Sequence, residues 1–135
     1  MGSAIPRAAL AQFDFLNVMV YSSYANACGE LQYFSSVKSI APDKLVLGVP
    51  FFGSTANWTH EESYATILAA YPDAWQRDEV AGGSLDDGIT LDYLGESSMA
   101  EETQLGARYG GIMIWELTQD TGGPHSLLSV IQKNL

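Results

Sequence analysis

Three short apolar runs each carry aromatic residues at or near their end, the side chains a carbohydrate-binding surface uses. Tyr21 closes Asn17-Val-Met-Val-Tyr21, Phe51 and Phe52 close Lys44-Leu-Val-Leu-Gly-Val-Pro-Phe-Phe-Gly53, and Trp115 stands in Gly110-Gly-Ile-Met-Ile-Trp-Glu-Leu117. A flat ring can pack on the apolar face of a pyranose, and a phenol adds a polar handle. Met19 and Met113 sit two residues before Tyr21 and Trp115, hence on the same strand faces. Glu116 and Asp120 are the carboxylates near this chemistry. Glu116 could donate a proton by position, although hydrogen bonding within a loop is the plainer expectation. Asp86, Asp87 and Asp92 form a further acidic cluster. Trp58 and Trp75 could serve as sugar platforms, with packing of a small lobe the preferred reading. Cys28 is the single cysteine, so no intrachain disulfide forms, and it reads as a small packed residue. His60 and His125 are isolated, so no zinc site and no cofactor are expected. Asn57-Trp58-Thr59 is a glycosylation sequon by pattern.

The elements that must position these residues follow from periodicity. The three runs are too short for helices and rich in β-branched residues, so they read as buried parallel strands over Phe13–Tyr21, Leu45–Phe51 and the Gly110–Leu117 stretch. Helical patterns separate them, which makes an α/β chain of three parallel βα units. In a closed (β/α)8 TIM barrel the C-terminal strand ends form the functional mouth. That arrangement gathers Tyr21, Trp115 and one of Phe51 and Phe52. Ser22–Ala27 reads as a loop, and Leu31, Phe34, Val37 and Ile40 as a helix from Glu30 to Pro42. Residues from about 54 to 96 read as a small insertion of helix plus hairpin. Thr59-x-x-Glu62 is a capping-box pattern, Tyr64, Ile67, Leu68 and Tyr71 mark one helix face, Gly82-Gly83 and Asp87-Gly88 are turn signals, and Ile89–Tyr93 alternates like a strand. Ser98-x-x-Glu101 caps a helix reaching about Tyr109. Gly122-Gly123-Pro124 opens the last helix, with Leu127, Leu128 and Ile131 on one face.

Composition bounds the function classes. With 16 acidic against 6 basic residues the net charge is −10, so nucleic acid and anionic membrane surfaces are poor partners. Hydrophobic residues make up 47% of 135, enough for one domain with a core, and no run is long enough to span a bilayer. Met1-Gly2-Ser3 reads as an expression scar, with no signal segment following it.

The three runs, in this order and spacing, resemble the sixth, seventh and eighth barrel strands of a family 18 glycoside hydrolase, the chitinase superfamily. Ser63-Tyr64 through Tyr93-Leu94-Gly95 resembles its helix-plus-hairpin insertion, and Gln119-Asp120-Thr121 with Ser126-Leu127-Leu128 fits the bacterial type. The resemblance covers nearly the whole chain after the first ten residues. It implies a C-terminal portion, residues 1–135, of a retaining, substrate-assisted chitinase acting on β-1,4-linked N-acetylglucosamine. In that scheme the substrate's own acetamido oxygen attacks the anomeric carbon, and one glutamic acid protonates the leaving oxygen. Tyr21 matches the tyrosine that positions the acetamido group. Trp115 matches the floor of the −1 subsite, with Met19, Met113 and Phe51 lining substrate. The resemblance further implies a secreted or cell-surface location in a bacterium.

Two departures stand out. The family's Asp-x-x-Asp-x-Asp-x-Glu run, which carries the general acid, is absent from this chain. Ser22 also follows Tyr21 where the family usually has an acidic or amide residue. Three strands cannot close an eight-stranded barrel. The expected partners are therefore chitin or a chitooligosaccharide, together with a missing N-terminal barrel half or a second copy. The alternatives to the enzyme portion are a non-catalytic chitooligosaccharide-binding module and an oligomerising barrel fragment with no ligand.

Overall fold

The structure, a computed structural model, describes residues 4–81 and 88–135. Gly82-Gly83, Asp86 and Asp87 therefore lie outside the described residues. The elements in chain order are α1 (Arg7–Leu10), β1 (Leu16–Met19), α2 (Tyr24–Gln32), β2 (Leu45–Pro50), β3 (Phe52–Ser54), β4 (Glu61–Ser63), α3 (Tyr64–Ala70), β5 (Glu79–Ala81), β6 (Thr90–Asp92), α4 (Glu96–Gly106), β7 (Ile112–Trp115) and α5 (Leu127–Asn134).

β1, β2 and β7 form a parallel sheet with β2 in the centre. Alternation along β2 sends Leu45, Leu47 and Val49 into a fully buried layer. They share a core with Val18 of β1, Ala27 and Leu31 of α2, Met99 and Leu105 of α4, and Leu127 and Ile131 of α5. Each large aliphatic side chain buried there contributes about 1.5–3 kcal/mol. The other face of the sheet carries Asn17, Met19, Val46, Gly48, Pro50, Met113 and Trp115. Register places Met19, Gly48 and Met113 in one row and Pro50 beside Trp115. Gly48 is needed there, because a Cβ would stand 2.9 Å from Met113 Cε and 3.2 Å from Met19 Cα. Met19 is 61% exposed and Trp115 54% exposed on this face. Among the described residues nothing pairs with the outer edge of β1 or β7, and no closed barrel forms.

A second, antiparallel sheet has the order β4-β3-β6-β5. It leaves the first sheet at Phe51, whose N–H donates to the Trp115 carbonyl at 2.8 Å. Gly53 lies inside β3 rather than closing β2. A Cβ there would come within 2.7 Å of Ile67 Cδ1, so glycine lets α3 pack close to the sheet. One face of this sheet buries Val80 and Leu91. Its opposite face carries a transverse row, Glu61–Ser54–Asp92–Glu79, each directly opposed to the next.

The α/β class and the three parallel strands match the sequence expectation, whereas several boundaries differ. β1 is confined to Leu16–Met19 because its ladder to β2 runs only from Leu16↔Leu45 to Met19↔Gly48. α2 begins at Tyr24 rather than Glu30. The first turn turns Ala27 inward, a side chain too small to stand out in a hydrophobic pattern. α2 runs on as a π-helical turn over Tyr33–Val37. Ser63, not Thr59, caps α3, its hydroxyl accepting from the Thr66 N–H at 3.1 Å. Gly95, not Ser98, occupies the N-cap of α4. The Ser98 hydroxyl donates instead to Asp78 Oδ2 at 2.6 Å.

Candidate functional site

Tyr21 stands two residues beyond the end of β1, where the chain turns into α2. Phe52 opens β3, and Trp58 sits at the tip of the loop joining β3 to β4. Their rings form a continuous edge-to-face ladder, Tyr21 to Phe52 at 5.6 Å and Phe52 to Trp58 at 6.2 Å between centroids. The ladder walls a cleft of about 470 Å3. Pro50, the Ser22–Tyr24 turn and Asn26 close one side, and Ser54, Asp92, Tyr93 and Ser98 the other.

The Trp58 loop is held from within. The Thr55 N–H donates to the His60 carbonyl at 3.0 Å, and the N–H groups of Thr59 and His60 both donate to Thr55 Oγ1 at 3.2 Å. Asn57 Oδ1 accepts from the Thr59 hydroxyl at 2.7 Å. Trp58 is left 51% exposed over the cleft. Asp78, also lining the cleft, is bound by the Gly95 N–H at 2.7 Å and by the Ser98 hydroxyl. Ser22 Oγ accepts from Asn26 Nδ2 at 3.1 Å, so an amide enters the mouth one turn along α2.

The Tyr21 hydroxyl is buried and has no hydrogen-bond partner. Burial pushes its pKa up, so the group stays a neutral donor. A buried donor without an acceptor is costly, and this one stands at the cleft wall, where a ligand carbonyl could satisfy it.

The other sequence candidates fall in different places. Phe51 is fully buried in the core, and Phe52 takes the cleft position. Met19, Met113 and Trp115 lie on the open face of the parallel sheet, adjoining the cleft through Pro50 rather than lining it. The Glu116 carboxylate accepts from the Thr118 hydroxyl within its own loop. Asp120 accepts from the N–H groups of Leu127 and Leu128 and from the Ser126 hydroxyl, at 2.9, 3.1 and 2.7 Å, and so anchors the start of α5. Trp75 stacks on His125 at 4.5 Å, and His125 Nδ1 lies 2.8 Å from Glu96 Oε1. This is packing away from the cleft. Cys28 is a half-buried free thiol.

Sequence reasoning left Phe51 and Phe52 as alternatives, preferred packing to a platform role for Trp58, and gave Asp92 no place in the site. The missed signal is the two-residue alternation Phe52-x-Ser54 directly before the Thr55–Asn57 turn. It marks a second, reversed strand that carries one phenylalanine to the mouth. Glu102 was also unforeseen. It is fully buried on α4, one turn beyond Ser98, with neither carboxylate oxygen hydrogen-bonded. Burial, aided by the nearby Asp78 charge, pushes its pKa up to about 8.

With this geometry in view, comparison with solved structures gives a consistent answer. The chain superposes on the GH18 chitinase ChiB from the chitin utilization locus of Flavobacterium johnsoniae with TM-score 0.79 and 30% identity, covering 94% of this chain and 44% of that one. A chitinase from Bacteroides thetaiotaomicron matches with TM-score 0.69 and 22% identity, over 91% of this chain and 42% of that one. The chitinase-like agglutinin of Robinia pseudoacacia matches with TM-score 0.68 and 16% identity, over 96% and 49%. The fold is chitinase-like. The chain spans less than half the length of these three proteins. No protein-family profile matches the chain. No curated protein sequence matches it either.

Proposed function

We propose that residues 1–135 form the substrate-binding C-terminal portion of a retaining, substrate-assisted chitinase, corresponding to the last three strands of its barrel with the insertion at about 54–96. The observation that carries this reading is the Tyr21 hydroxyl, a buried, neutral, unpartnered donor at the wall of an aromatic cleft. A sugar acetamido carbonyl supplies the missing acceptor. Held by Tyr21, that oxygen is oriented toward the anomeric carbon, and the positive charge of the cyclic intermediate is stabilised by the fixed environment. Trp115, with Met19 and Met113, would floor the same sugar once the open sheet face is covered. The ligand is chitin or a chitooligosaccharide, and the covering partner is the remaining barrel half. The superposition on a protein of a chitin utilization locus supports a secreted or cell-surface setting in a bacterium.

The general acid must come from that other half, since the chain holds no Asp-x-x-Asp-x-Asp-x-Glu run. Incubating the chain with chitotetraose, with products read by mass spectrometry, should leave the tetramer intact. Mixing with a matching N-terminal half should restore cleavage. Cleavage by the chain alone would move the acid into these residues, with Glu116 the first to substitute. Assembly of the two halves without cleavage would sink the proposal.

The absent motif also favours a second reading, a non-catalytic chitooligosaccharide-binding module. It predicts calorimetric heat on adding chitotetraose to the chain alone, lost in Trp115→Ala.

A further inference from the structure

Resting on that reading, we infer that the cleft selects chitin oligomers bearing free amino groups, with a protonated glucosamine unit held between Trp58 and Asp92. The aromatic ladder explains a sugar face but not the charge of the lining. N-acetylglucosamine is neutral, yet the described lining holds Asp78 and Asp92 and no lysine, arginine or histidine. Asp78 is committed to the Gly95 N–H and the Ser98 hydroxyl. Asp92 is exposed at the end of β6, on the sheet face that also presents Ser54 to the cleft.

Asp92 stands directly opposite Glu79 on the neighbouring strand, with Glu61 two strands away on the far side of Ser54. Adjacent strands are about 4.8 Å apart, and like charges in opposed positions repel. Among the described residues, none of these three carboxylates is paired with a lysine or arginine. No three acidic, histidine or cysteine groups there converge on a metal site. The row is open to a cation carried on a larger ligand. A sugar ammonium fits both neighbours, because a carboxylate attracts it and an exposed indole face does too. An N-acetyl group at the same position offers Asp92 no charge partner.

The test is calorimetric titration of the 135-residue chain with chitotetraose and with a tetramer that keeps one N-acetyl group and carries three free amines, in mildly acidic buffer at low and high salt. The partly deacetylated tetramer should bind roughly tenfold more tightly, from one partly exposed ion pair and one cation–π contact. High salt should erode that preference. Asp92→Asn should bind the two tetramers equally, and Trp58→Ala should weaken both. Equal binding by the unsubstituted chain, a preference for the acetylated tetramer, or a preference surviving in Asp92→Asn overturns the inference while leaving the acetamido reading of Tyr21 in place. Binding of neither tetramer removes both.

Discussion

Tyr21 and Glu102 are both polar groups buried without partners, and they make opposite predictions. Tyr21 lines the cleft proposed to take the ligand. Tyr21→Phe should leave stability within about 1 kcal/mol of the parent, because no protein hydrogen bond is lost, and should weaken chitotetraose binding about tenfold. Denaturant unfolding alongside calorimetry checks both halves, and a large stability loss would show the hydroxyl to be structural. Glu102 sits in the packed layer between α4 and the sheet, with no route to a ligand. Its pKa is raised from 4.5 to about 8, so the folded state holds a proton that the unfolded state releases. Stability from this group is therefore complete below about pH 4.5 and falls as pH rises toward about 8, by on the order of 5 kcal/mol. Glu102→Gln should remove that fall, seen as a flatter plot of unfolding free energy against pH. An unchanged slope would mean the carboxyl is solvated. Tyr21 was legible in the sequence because it closes an apolar run. Glu102 was not, since its burial depends on the distant elements α5, α2 and β2 that pack around α4.

Packing of small and polar residues also sets the placement of whole elements. Asp120 joins the turn after β7 to α5 through three hydrogen bonds. Asp120→Ala should cost about 1–2 kcal/mol, as loss of a helix N-terminal cap does, with a lower melting temperature as the readout and unchanged secondary structure by circular dichroism. Gly48→Ala should cost about 1–3 kcal/mol by overpacking, since its Cβ would press Met113 off the row it shares with Met19. A substitution there that left stability untouched would mean the methionine swings freely aside. The parallel strands could be read as short apolar runs because their open face, with Met19, Val46, Met113 and Trp115, is mostly apolar like the packed one. β3 and β4 could not, because three-residue strands carry too little pattern, and only pairing with β6 defines them.

Over the molecule as a whole, one sheet face and two sheet edges lack the cover that a closed barrel would supply. Exposed Met19 and Trp115 together with open strand edges favour association. Sedimentation velocity should show the chain as an oligomer that Met19→Lys shifts toward monomer. Addition of the complementary barrel half should displace self-association and blue-shift Trp115 fluorescence. A monomer at every concentration would mean the open face is tolerated by itself. From the residue order alone came the α/β class, the three parallel strands, the place of Tyr21 just beyond an apolar strand, and the lack of an Asp-x-x-Asp-x-Asp-x-Glu run, because each is carried by local composition and spacing. Which phenylalanine reaches the mouth, how Trp58 and Asp92 come to share a cleft with Tyr21, and that Glu102 is sealed in the core depend on contacts between residues far apart in the chain. Those contacts arise only when the antiparallel sheet folds back over the strand ends.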